Sequence, residues 1–169
     1  MPTNNLSPAP DLAGTVFDAP TRPLRRILIA DDDSLILYRN AEVLIRHGFE
    51  VDVAENGAEA WEAIQLDQYD LLITDNNMPE LSGLQLVKKV YDAGIPLPVI
   101  MASGTVQTDD LDRHSWFNIE AVLHKPYTAE MLVETVKNVL LMTGGICDTF
   151  ELPPVWHIQP PTDHIRRLS

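Results

Sequence analysis

Leu71-Leu72-Ile73-Thr74-Asp75-Asn76-Asn77-Met78-Pro79 is the stretch from which the rest of the chain is best read. An apolar run ends in one carboxylate, and a polar loop and a proline follow at once. A short apolar run bounded by turn residues suits a strand buried on both faces. A strand that stops at an Asp places that Asp at the carboxyl edge of a sheet, where open α/β sheets bind their ligands. Asp75 is therefore the candidate chemical centre.

Working outward, the same pattern repeats. Upstream, Arg26-Ile27-Leu28-Ile29-Ala30 is a short apolar run followed by Asp31-Asp32-Asp33. Ser34 is the expected N-cap of a helix whose Leu37, Ala41, Leu44 and Ile45 share one face. His47-Gly48 ends it, with Gly as the left-handed cap. Glu50 to Ala54 alternates acidic and apolar residues, as a less buried strand would. Asn56-Gly57 starts a helix lined by Ala60, Trp61 and Ile64. Downstream, a helix spans about 83–92 on Leu84, Val87 and Val90, and Gly94 stops it. Val99-Ile100-Met101-Ala102 is a very apolar strand running into Ser103-Gly104. A weak, polar helix is expected at about 107–115. Ala121-Val122-Leu123-His124 is the last strand, closed by Lys125-Pro126. Thr128 caps a final helix with a stripe of Leu132, Val136, Val139 and Leu140, and Thr143-Gly144-Gly145 ends the domain.

Five strand–helix pairs in alternation argue for a parallel sheet covered on both faces with right-handed crossovers. The expected fold is α/β: a doubly wound five-stranded parallel sheet in the flavodoxin-like order 2-1-3-4-5, with helices on both faces. The first and third strands are then neighbours at the switch point.

Composition narrows the function. The chain has 169 residues and a net charge of −13. So acidic a chain disfavours nonspecific nucleic-acid binding, which depends on Lys and Arg neutralising phosphates. One cysteine, Cys147, cannot form an internal disulfide, which points to a reducing, cytoplasmic setting. No run approaches the ~18 apolar residues of a membrane span, and the N-terminus has no secretory-signal pattern. Of 13 prolines, five fall in residues 1–24 and four in 144–169. This divides the chain into a Pro-rich extension at 1–24, expected to be disordered, a domain at 25–143, and a Pro-rich, partly apolar tail at 144–169.

The topology brings four strand ends to one edge: Asp31 and Asp32, Asp75, Ser103, and Lys125. Any one of these has a duller reading, as a helix cap, a turn residue, a solvated hydroxyl or a loop lysine. Four strands ending this way are unlike coincidence. Three nearby carboxylates repel unless a cation or proton intervenes. A hard divalent cation suits them, and magnesium takes one or two carboxylates and keeps waters or phosphate oxygens. Asp75, between that metal and Lys125, can attack phosphorus and become an acyl phosphate. Metal and ammonium neutralise the oxygens of the transferring group, and the Ser103 hydroxyl can hydrogen-bond one of them.

Ile27–Asp33, Asp70–Gly83, Val99–Gly104 and Val122–Tyr127 together resemble a response-regulator receiver domain of two-component signalling, over roughly residues 25–143. The resemblance implies that Asp75 is the phosphoacceptor and that the cofactor is Mg2+ (or Mn2+). Asp32 and Asp75 would bind the metal through side chains, Asn77 through its backbone carbonyl, and Asp31 through metal-held water. Ser103 occupies the switch-hydroxyl position and Lys125 that of the family's lysine. The donor would be a histidine kinase or a phosphotransfer protein, and the chain would catalyse only its own phosphorylation and dephosphorylation. One departure stands out: the family's second switch residue, three positions before the lysine, is usually Tyr or Phe, and here it is Val122. Trp116 and Phe117, just upstream, could supply aromatic surface instead.

On this reading the face made by the 107–115 helix, the last strand and the final helix changes shape and meets a downstream protein, with no nucleic acid and no membrane. Residues 144–169 are too short for a DNA-binding module, so the chain reads as a stand-alone receiver. Ile146, Phe150, Leu152, Val155, Trp156 and Ile158 leave three outcomes open for the tail: packing on its own domain, packing on a partner or second protomer as in a homodimer, or disorder. His157 and His164 lack the further clustered ligands of a metal site. Two other readings compete. In a haloacid-dehalogenase-type phosphatase, Asp31 is the nucleophile and Asp33 the acid–base partner, but no acidic strand end follows Lys125. In a phosphorylation-independent scaffold, the receiver fold only binds. A dinucleotide site is disfavoured, because no Gly-x-Gly-x-x-Gly follows the first strand.

Overall fold

The computed structural model describes residues 24–104, 119–143 and 165–167. Its strands are β1 (Arg26–Ala30), β2 (Glu50–Ala54), β3 (Leu71–Asp75), β4 (Val99–Ser103), β5 (Ile119–His124) and β6 (Ile165–Arg167). Its described helices are α1 (Ser34–Arg46), α2 (Gly57–Leu66), α3 (Gly83–Asp92) and α4 (Ala129–Thr143). All described pairings are parallel, in the order β5-β4-β3-β1-β2-β6. The expected order 2-1-3-4-5 is present. The addition is β6, which pairs Val51 to Val53 with Ile165 to Arg167 at the β2 edge and makes the sheet six-stranded rather than five-stranded. The expected helix at 107–115, Trp116 and Phe117, the extension at 1–23 and the tail at 144–164 lie outside the described residues.

Alternating side chains feed two cores. Ile27, Ile29, Val51, Val53, Leu71, Ile73, Ile100 and Ala102 face α1 and α4, and join Leu37, Leu44, Leu132 and Val136. Leu28, Ala30, Leu72, Val99 and Met101 face α2 and α3, and join Ala60, Ile64, Leu86 and Val90. Because β1, β3 and β4 are buried along nearly their whole length, their sequences read as continuous apolar runs rather than alternating ones. Burying one such Leu or Ile contributes about 1.5–3 kcal/mol.

Two local expectations are corrected. The N-cap of α1 is Asp33, not Ser34: its side chain accepts from the N–H groups of Leu35 and Ile36, while its own N–H is held by Asp31 Oδ1 at 3.0 Å. The alternation in Glu50–Ala54 does not mark an exposed face, because Asp52 is only 2% exposed. Its Oδ2 accepts from Arg26 Nη2 at 2.5 Å and from the Tyr69 hydroxyl at 2.9 Å. The Arg26 guanidinium also lies 5.0 Å from the Tyr69 ring centre and 3.1 Å from Asp67. A buried carboxylate persists because these partners replace its water. This network sits at the amino edge of the sheet.

Candidate functional site

The carboxyl edge collects the reactive groups. β1 delivers Asp31, whose N–H continues the strand ladder to the Ala54 carbonyl at 3.2 Å, and then Asp32. β3 delivers Asp75, 6% exposed, and β4 delivers Ser103, fully buried. The link after β5 delivers Lys125, whose N–H donates to the Ser103 carbonyl at 3.1 Å. The Lys125 ammonium contacts Asp31 Oδ2 at 2.7 Å and Asp75 Oδ1 at 3.3 Å. Asp31, Asp32 and Asp75 each offer an oxygen, and these lie within 4.8 Å of one another. Asp32 alone of the three is exposed, leaving an open side.

Burial raises the Asp31 carboxyl above the usual range, and the Asp75 charge adds to this, while the Lys125 hydrogen bond opposes it. Burial works against the Lys125 charge, but the Asp31 hydrogen bond and both carboxylates outweigh it and raise its pKa, so the lysine stays cationic. At their formal charges, three carboxyl groups against one ammonium give the cluster an excess of negative charge. An all-oxygen donor set with that residual charge and an open side fits a small hard dication.

The loop from β3 to α3 is fixed from within. The Asn77 N–H donates to Asp75 Oδ2 at 3.2 Å, so the exposed Asn77 sits directly after the carboxylate. Asn76 accepts twice, its carbonyl from the Gly83 N–H and its side chain from the Leu84 N–H, both at 3.2 Å. Met78 is buried among the residues facing α2 and α3. A capping box of Ser82 and Gln85 starts α3. A Cβ on Gly83 would stand 2.2 Å from the Asp75 carbonyl oxygen, so α3 begins directly against the backbone of the carboxylate. A Cβ on Gly57 would meet the Leu81 carbonyl oxygen at the same distance, so α2 braces the loop from outside.

Of the expected residues, the side chains of Asp31, Asp32, Asp75 and Lys125 come together, Asn77 meets Asp75 through its N–H, and Ser103 lies buried at the end of β4 with its carbonyl held by the Lys125 N–H. Val122 is half-buried and packs against the core facing α2 and α3. Sequence reasoning missed three supports: the Asn76 side chain at the start of α3, the tight approach of Gly83, and a hydrogen bond from Asn40 Nδ2 to the Tyr127 hydroxyl at 2.8 Å. Gly83 alone left a trace, as a glycine where a helix begins. Chemically, the edge offers a carboxylate nucleophile, an ammonium, a buried hydroxyl position and an oxygen cradle for a cation. Among the described residues no helix is long and apolar enough to cross a membrane.

Comparison with known proteins places this edge in a context. The family model described as the response regulator receiver domain matches residues 27–137. The sensor protein EvgS of Escherichia coli K12 is 34% identical over 109 residues, which is 63% of this chain and 9% of EvgS. Other curated relatives are matched over about half of their own length, 56% and 50% in two cases. Among solved structures, the response regulator TrrA of Thermotoga maritima, in complex with Mg2+-BeF, is 32% identical with a TM-score of 0.63, covering 69% of this chain and all of that one. A CheY-like receiver domain protein from Methanospirillum hungatei is 27% identical with a TM-score of 0.68, covering 72% and 97%.

Proposed function

The chain belongs to the response regulator receiver family of two-component signalling, and on that premise we propose that Asp75 is its phosphoacceptor. The observation that carries this reading is the buried Asp75 at the end of β3, with Lys125 Nζ at 3.3 Å and two further carboxylates within 4.8 Å. Receivers are signalling proteins rather than conventional enzymes, and the chemistry proposed here is limited to the chain's own phosphorylation and dephosphorylation. An Asp75 oxygen forms a bond to phosphorus as the donor's P–N bond (phosphohistidine) or P–O bond (acyl phosphate) breaks, and the electron pair leaves with the imidazole or the carboxylate. Lys125 shifts its ammonium from Asp31 to an oxygen of the arriving phosphoryl group. Asp32 and Asp75 would hold Mg2+ (or Mn2+) through side chains, Asn77 through its carbonyl and Asp31 through water; when bound, the cation neutralises the phosphoryl oxygens. Hydrolysis of the acyl phosphate returns the free carboxylate.

The donor is a histidine kinase or phosphotransfer protein. Phosphorylation adds about −1.5 to −2 charges at Asp75. The Ser103 hydroxyl then donates to a phosphoryl oxygen, and the segment after β4, together with β5 and α4, presents an altered face to a downstream protein. Val122 replaces the aromatic ring that usually turns in this family, so output runs through a different side chain. Residues 25–143 form the receiver unit, with 1–24 and 144–169 as extensions, and a cytoplasmic setting fits the single Cys147. The dehalogenase-type reading loses support, because Asp33, its acid–base residue, is engaged as the cap of α1.

Incubation with Mg2+ and acetyl phosphate tests the assignment. Wild type should gain one acid-labile, base-labile phosphoryl group, and Asp75→Asn or a chelator should prevent it. Equal uptake by wild type and Asp75→Asn would refute it. Loss only in Asp31→Asn, with hydrolysis of generic phosphomonoesters, would restore the phosphatase reading.

A further inference from the structure

Tyr127 stands two residues after Lys125, on the link between β5 and α4. Its half-buried ring packs against the core facing α1 and α4, and its hydroxyl accepts from Asn40 Nδ2 at 2.8 Å. A phenylalanine would fill the same apolar space. The hydroxyl sits in a partly buried position, where a polar group is costly without a partner.

The partner's location matters. Asn40 lies in the middle of α1, the helix that starts directly after the Asp31–Asp33 turn. Asp33 caps that helix, and its N–H is held by Asp31. One end of the Asn40–Tyr127 bond therefore lies on the helix that follows the Asp31–Asp33 turn, and the other on the link that carries Lys125. The link has other anchors. The Lys125 N–H is tied to Ser103 in β4, and Thr128 Oγ1 accepts from the Met131 N–H at 3.3 Å. Those bonds fix the link to the sheet and to α4, but not to α1. Lysine is a point charge on a flexible four-carbon stem, so where its ammonium rests depends on how far apart its two ends are held. It now spans from the link to Asp31 at 2.7 Å and Asp75 at 3.3 Å.

We propose that Tyr127 and Asn40 are positioning residues for phosphoryl transfer: their hydrogen bond sets the spacing between α1 and the β5–α4 link and so places the Lys125 ammonium against Asp75. The proposal rests on the roles given above to Asp75 and Lys125. It is specific to this chain's hydroxyl and amide, since the ring alone serves packing.

The test uses the full chain, Mg2+ and acetyl phosphate. Tyr127→Phe keeps the ring and removes only the hydroxyl. Phosphorylation at saturating donor should slow by about three- to ten-fold, the range expected for loss of one hydrogen bond. Mg2+ affinity by calorimetry should stay within about two-fold, because Lys125 is no metal ligand. Asn40→Ala should give the same loss, and the double variant no further loss. The side-chain 15Nζ resonance of Lys125 should shift in Tyr127→Phe, a change that a purely stabilising bond would not cause. A wild-type rate in Tyr127→Phe, additive losses in the double variant, or an unmoved Lys125 resonance would each overturn the proposal. Asp75→Asn run in parallel keeps the two readings apart: phosphate uptake by that variant sinks the acceptor assignment, whereas a silent Asp75→Asn beside an unaffected Tyr127→Phe sinks only the positioning role.

Discussion

Replacing Gly83 by alanine should damage the chemistry at Asp75 without touching any charged group. The added methyl would lie 2.2 Å from the Asp75 carbonyl oxygen and 3.0 Å from the Asn76 Cα. Ordinary contact begins near 3.4 Å, so about 1.2 Å must be found. Both obstacles are backbone, and β3 is clamped between β1 and β4, with Asp75 in register with Ala102. The movement must fall on the Asp75–Asn76 peptide or on the first turn of α3, where Asn76 holds the Gly83 and Leu84 N–H groups. Overpacking of this kind costs about 1–3 kcal/mol, equivalent to a fall in melting temperature on the order of 3–10 °C for a domain this size. A displacement of about 1 Å at a reacting group can cost about 10²-fold in rate. Thermal unfolding by circular dichroism and phosphoryl uptake from acetyl phosphate measure the two effects. Gly94→Ala supplies the contrast. Gly94 has φ +67, and a methyl added there would meet nothing within 4 Å, so the change should cost about 1 kcal/mol of left-handed strain and leave uptake unchanged. A Gly83→Ala protein that melts with wild type and phosphorylates at the same rate would refute the claim that α3 abuts the carboxylate.

Two further outcomes follow from the amino edge and from β6. Asp52→Ala removes the buried carboxylate from Arg26 and Tyr69 together and should cost about 3 kcal/mol in urea unfolding, the lower end for a broken buried pair because Asp67 remains at 3.1 Å from Arg26; a loss under about 1 kcal/mol would contradict the burial argument. Deleting residues 165–169 should speed hydrogen exchange at the β2 amides between Val51 and Val53 that face β6, with little change in melting temperature; unchanged protection there would count against the sixth strand.

The first five strands and their order were legible because each is a short run with apolar residues closed by a turn residue, and because a parallel sheet buried on both faces leaves that mark. The reactive edge was legible for the same reason, since each chemical residue lies at the end of a strand or within two positions of it. What escaped depended on distance in the chain. Asp52 looked like the polar position of an alternating strand, and its partner Arg26 is 26 residues away. Asn40 and Tyr127 are 87 residues apart, and neither carries a local signal. Asp33 and Ser34 are both good caps, and the bond from Asp31 to the Asp33 N–H fixes the turn in which Asp33 serves. Strand β6 is three residues long and two of them are arginine, so no apolar pattern marks it.

The strand β1 begins in Arg26, within the ion-pair network at the amino edge, and ends beside Asp31 in the reactive cluster. Asp31 lies five positions after Arg26, about 16 Å along extended chain. Sites so far apart that share no partner usually respond additively to substitution. The domain is therefore divided into two poles that can change independently. Its robustness could be raised or lowered at one end by altering Arg26, Asp52 or Tyr69, while the speed of the response at the other end keeps its own setting.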